Sequence, residues 1–138
     1  MRVVLDTNVF VSGIFFIGPP HQILEAWRDG KVQLLVSPPI LEEYHRVGVE
    51  LASHFQNIDL KPFLDLLFIH SEIVLAPTLP PIIHDDPSDD KFLEAAVAGE
   101  ASHIISGNKH LLKLSEYQGI QIIKPRDFVQ MYLKGEAK

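Results

Sequence analysis

Asp6 closes a short apolar run, Val3-Val4-Leu5, and Thr7-Asn8-Val9 follows at once. An acid at the carboxyl end of a buried N-terminal strand has no packing reason to be there, and open α/β sheets place their ligands at that edge. Further acids recur where later segments would return to the same edge: Glu42-Glu43, Asp85-Asp86 and Asp89-Asp90. Carboxylates gathered in this way suit a hard divalent cation, and a cation with its bound water is equipped to cut phosphodiesters.

Each acid also has a plainer role. Asp6 can cap the segment after it by accepting a backbone N–H from Asn8 or Val9. Glu42 stands four residues before Arg46, the spacing of a helical surface pair, whereas Glu43 falls nearer the apolar side with Val47. Between Asp85 and Lys91 there are four acids, more than one helix cap requires, so one or two are expected to serve a metal and the rest to cap or face water. The seven histidines follow no ligand pattern; His103 reads as structural and His110 as solvated or packed. There is no glycine-rich phosphate loop and no Gly-x-Ser-x-Gly elbow, which removes P-loop and α/β-hydrolase readings.

The elements that must position these residues alternate. Residues 2–6 read as a buried strand and 20–29 as a helix closed by Gly30 in a left-handed cap. Residues 32–36 form a second strand, and a helix capped by Ser37 with Pro38 at its first position runs to about Ser53. A further helix is expected over 60–70, an edge strand over 72–75 and a loop over 76–87. A helix from Pro87 or Ser88 to Gly99, a strand over 103–106, a short helix ending near Leu114, a fifth strand over 120–123 and a last helix over 126–133 complete the pattern. Strands alternating with helices predict a parallel sheet covered on both faces.

The 138 residues fit a single domain, with no internal repeat or dividing linker, and 46% apolar residues make it globular. Cysteine is absent, which excludes disulfides and thiolate metal sites and suits a reducing cytosol. No apolar run is long enough for a membrane span, and the immediate entry into a strand leaves no room for a signal peptide, so a cytoplasmic location is expected. A net charge of −6 argues against nucleic-acid binding when taken alone. Acids that hold a cation would reverse that sign locally.

Four stretches, Val3-Val4-Leu5-Asp6-Thr7-Asn8-Val9, Ser37-Pro38-Pro39-Ile40-Leu41-Glu42-Glu43-Tyr44, Asp86-Pro87-Ser88-Asp89-Asp90-Lys91-Phe92-Leu93 and Ile104-Ile105-Ser106-Gly107-Asn108-Lys109-His110-Leu111-Leu112, together resemble the PIN-domain family, in the flavour of prokaryotic toxins related to VapC. The resemblance covers essentially the whole chain, 1–138, as one PIN-like domain. It implies a three-layer α/β/α sandwich around a mostly parallel five-stranded sheet. It also implies a metal-dependent nuclease acting mostly on RNA, with Mg²⁺ or Mn²⁺ as cofactor. Asp6, Glu43 and Asp90 match the family's metal-binding acids, and Asn108 stands where a fourth acid is common. Asn8 and Ser106 match the polar residues that help position ligands or water, Thr7 is a further candidate for that role, and Arg46, Lys91, Lys109 and Lys113 are candidate phosphate contacts. An antitoxin protein and a homodimer are the partners that the resemblance suggests.

Asn108 is the departure that bears on chemistry, since an amide can coordinate through its oxygen but adds no charge. Two readings therefore stand: an endoribonuclease, or a catalytically weakened module that binds RNA or protein. A receiver-like domain fits less well, because the acid after strand one is single and no Asp follows strand three.

Overall fold

The computed structural model describes residues 1–55, 58–76 and 89–133. Six strands form one sheet: β1 (Arg2–Leu5), β2 (Gln33–Val36), β3 (Ser71–Ile73), β4 (His103–Ile105), β5 (Glu116–Tyr117) and β6 (Ile120–Ile123). Their order is β3-β2-β1-β4-β6-β5, parallel throughout except for the β5–β6 hairpin. Register is tight across the centre, where Leu5 stands opposite Ile105 and Ile105 opposite Ile123. These central strands are apolar on both faces because helices cover both, giving the three-layer α/β/α arrangement. The expected five strands are joined by the two-residue β5, which lies on the outer side of β6.

The helices are α1 (Thr7–Phe15), α2 (Pro19–Arg28), α3 (Pro38–Ala52), α4 (Lys61–His70), α5 (Asp90–Ala98), α6 (Lys109–Leu114) and α7 (Pro125–Phe128). A π-helical turn, Val129–Leu133, continues α7 over the span expected as one helix. Ser37 precedes α3 as anticipated, but its side chain makes no capping bond; Pro38 opens the helix without one. Gly30 takes a φ of 80° just after α2, the left-handed conformation its place in the sequence predicts. The strand expected over 72–75 is shorter and shifted by a residue, but it does sit at a sheet edge.

One helix was not anticipated. The segment Thr7–Phe15 carries β-branched and apolar residues nearly all round, so it has no polar face to reveal a helical period. It is helical because it is enclosed: Val9, Phe10, Val11, Ile14 and Phe15 are all buried, and Asp6 caps its first turn by accepting from the Val9 N–H at 2.9 Å. Phe10 stacks on Tyr44 of α3, with ring centroids 4.2 Å apart, and meets Trp27 of α2 edge-on. Helix α5 lies against β1, β2 and β4, which brings its first turn to the same sheet edge as Asp6.

Helices α1 and α2 approach closely across Gly13. A Cβ there would stand 2.7 Å from Leu24 Cδ1 and 2.8 Å from the carbonyl oxygen of Pro20, which is backbone and cannot turn away. Gly13→Ala is therefore expected to destabilise the fold by about 1–3 kcal/mol through overpacking, despite alanine's better helix propensity. Urea unfolding measures it, and a variant as stable as the parent would show that α1 and α2 separate freely.

Candidate active site

In this strand order the chain winds outward from β1 to β2 on one side, and β4 and β6 extend the sheet on the other. The crevice beyond the carboxyl ends of β1 and β4 is thus the topological switch point, where such sheets bind ligands. Asp6 follows β1 directly and Ser106 follows β4 directly. Both are buried, and the Ser106 hydroxyl donates to Asp6 Oδ2 across the crevice. The Asp6 N–H also donates to the carbonyl of Ile105 at 3.1 Å, so backbone and side chain tie the two strand ends together.

Glu43 reaches this edge from the first turns of α3. Tyr44, beside it, is fully enclosed, and its hydroxyl donates to the carbonyl oxygen of Leu5 at 2.5 Å. Burial, with the nearby charges of Asp6 and Glu43, holds the Tyr44 hydroxyl far above its ordinary pKa, so it keeps the proton it donates. That bond pins α3 to the residue before Asp6 and sets Glu43 on the same side. Glu43 Oε2 accepts from the Thr7 hydroxyl, and Oε1 accepts from Lys91 Nζ at 2.5 Å, with Arg46 at 3.8 Å.

The two acids are in opposite electrostatic conditions. Burial pushes the Asp6 carboxyl above the usual range; bonds from Ser106, Val9 and Gly107 oppose this, and repulsion from Glu43 adds to it. Burial also pushes Glu43 upward, but the Lys91 and Thr7 hydrogen bonds and the charges of Lys91 and Arg46 outweigh it, leaving Glu43 below the usual range. One carboxylate is compensated by the protein's own cations and the other is not.

At the mouth of α5 the residue brought into this network is Asp89. Its Oδ2 accepts from Asn108 Nδ2 at 2.7 Å, while Asn108 Oδ1 accepts from the His110 N–H at 2.8 Å and the Asn108 N–H donates to Ser106 Oγ at 2.9 Å. A backbone N–H can only meet the amide oxygen, so the amide nitrogen must face Asp89. Asp90 is buried and opens α5 one residue later. The expected meeting of Asp6, Glu43 and Asp90 as three carboxylates around one point is not found: among the described residues no three His, Asp or Glu side chains stand close enough to hold an ion. Asp6 is held by Ser106, and Glu43 by Thr7 and Lys91. Asp85 and Asp86 lie outside the described residues.

The remaining candidates divide. Thr7 and Ser106 hold the two acids directly. Asn8 is exposed and lines a shallow groove with Val11, Ser12, Val47 and Glu50 rather than touching either acid. Lys109 and Lys113 are exposed on α6, and Arg46 pairs with Glu42 at 3.2 Å. The donor set still suits Mg²⁺ or Mn²⁺: two hard carboxylates repel each other at a polar crevice, and Mg²⁺ is commonly held by one or two carboxylates with the rest of its shell water. Asp6 and Glu43 are the residues that would hold it.

The PIN-domain family model matches residues 2–110, from β1 to the start of α6. No curated protein matches the chain.

Asp6 supplies a stability test with a definite sign. A carboxyl whose folded pKa is raised costs nothing while both states are protonated, and it weakens the fold as pH rises through the unfolded and then the folded value. Asp6→Asn removes that cost, so its melting temperature should gain on the parent's as the pH is raised from acid to neutral in the presence of a chelator. A gap that narrows instead would assign Asp6 to capping alone.

Proposed function

The chain belongs to the PIN-domain family, a group of nuclease-type modules, and from that premise we propose that it is a divalent-metal-dependent endoribonuclease, the toxin half of a toxin–antitoxin pair. The observation that carries this reading is the buried Asp6 at the switch point, repelled by Glu43 and, among the described residues, in no ion pair. On this reading RNA is the substrate, Mg²⁺ or Mn²⁺ the cofactor, and the cytoplasm the place of action.

The protein's share of the chemistry follows from the contacts. Asp6 and Glu43 would hold the ion. Ser106 fixes the rotamer of Asp6, and Thr7 that of Glu43, so the acids are aimed before substrate arrives. The bound ion supplies an activated water and neutralises charge growing on the scissile phosphate. Lys109 and Lys113, exposed on α6 beyond Asn108, supply positive charge for the flanking phosphates.

The bond between Asn108 and Asp89 favours a second reading, a module that binds RNA or protein without cutting it. With an amide at 108, the donor that this residue offers Asp89 is neutral, and position 108 itself adds no carboxylate for a second cation. Incubation with mixed RNA and Mn²⁺, against a chelator control, separates the two. A nuclease loses cleavage on chelation and, in Asp6→Asn or Glu43→Gln, by about 100-fold or more; a variant cutting at the parental rate would remove these acids from the site. Asn108→Asp places a carboxylate against Asp89 and should add Mn²⁺ affinity in a calorimetric titration; no gain would mean that residue 108 does not face the ions.

A further inference from the structure

Among the described basic residues near the site, Lys91 makes the shorter and less exposed contact with Glu43, 2.5 Å against 3.8 Å for Arg46. Its side chain and that of Glu43 are each 18% exposed, against 58% for Arg46. The amine sits 2.5 Å from Glu43 Oε1 and 5.8 Å from the centroid of Phe92, whose ring is buried and fixed. Thr7 occupies the other carboxylate oxygen. An ion bound by Glu43 would bring its charge up against the ammonium already held on the same carboxylate, and two cations that close repel each other strongly.

We propose that Lys91 is a tethered competitor of the divalent ion: it occupies Glu43 until a metal displaces it, and the displaced amine then faces the phosphate of the substrate. This rests on the reading of Asp6 and Glu43 as metal ligands. The pair explains how an acidic crevice is held together ahead of metal loading, since Glu43 is kept ionised and oriented by a cation that belongs to the chain. It also makes metal and substrate cooperative. A phosphate offers the released amine a second anionic partner, so substrate favours metal uptake and metal favours substrate, by the reciprocity of linked equilibria. Lys91 is well built for this exchange, because a flexible four-carbon stem carries a compact charge that can leave one anion for another, which a bidentate, planar guanidinium does less readily.

The test is Mn²⁺ titration calorimetry on the intact chain, comparing the parent with Lys91→Met, Lys91→Gln and Lys91→Arg, each checked for folding by thermal melting. Both neutral variants should bind Mn²⁺ more tightly, by roughly five- to tenfold, the scale of one half-buried ion pair. The arginine variant, which keeps the competing charge, should stay close to the parent. The glutamine variant carries the comparison if methionine disturbs the fold. Neutral variants that bind Mn²⁺ equally or more weakly, or an arginine variant that gains as much as they do, would overturn the competition while leaving the metal site in place. Mn²⁺ uptake by none of the four proteins would instead overturn the assignment of Asp6 and Glu43.

Discussion

A carboxylate carried into the interior needs donors, and the architecture around Asp6 is what supplies them. The side chain is 4% exposed and receives the Ser106 hydroxyl and the N–H groups of Val9 and Gly107. Each donor depends on a different feature of the fold. Ser106 is available because β4 pairs with β1 in a register that sets Leu5 opposite Ile105. The Val9 N–H is available because the chain turns at once into a helix, whose first N–H groups have no partner within the helix. Without β1–β4 pairing and without α1, the charge at position 6 would be buried and unsatisfied, a condition that costs more than most single contacts return.

The second acid is coupled to the first through packing rather than through any direct bond. Tyr44 stacks on Phe10 of α1 and donates to the Leu5 carbonyl, so α3 is registered against the element that Asp6 caps. Glu43 precedes Tyr44 in the chain and inherits that register. A displacement of α3 by even one residue would move Tyr44 off Phe10 and take Glu43 away from Thr7. The aromatic core and the acid pair are therefore one construction, and the site's precision comes from residues that never touch a ligand.

The sequence made the alternation of strands and helices legible, because central strands such as Leu34-Leu35-Val36 are continuous apolar runs and α2 and α3 carry clear starts at Pro19 and Pro38. It hid α1, whose mostly buried, largely apolar residues blur helical periodicity, and β5, whose two residues are too few to carry any. Asp6 is singled out by its place after strand one, and Glu43 by its match to the family pattern in the helix after strand two. The bond from Asn108 to Asp89 joins residues 19 apart and leaves no local trace in the sequence. The pairing of Lys91 with Glu43 spans 48 residues and leaves no local trace; nothing short of the packed α3 and α5 reveals it.

Asn108 shows how a local substitution reshapes such a site without loosening it. Its oxygen terminates the first turn of α6, its nitrogen satisfies Asp89, and its own N–H returns to Ser106, which in turn holds Asp6. The amide thus joins the two acids, Asp6 and Asp89, through a single hydroxyl. An aspartate at 108 would keep the cap and the Ser106 bond but set two carboxylates against each other, an arrangement that only a proton or a cation relieves. Asparagine gives Asp89 and Ser106 hydrogen-bond donors without adding a further carboxylate at position 108. The net charge of −6 is tempered at this edge, because Asp6, Glu43 and Asp89 each accept from donors in the protein and Glu43 is paired with Lys91.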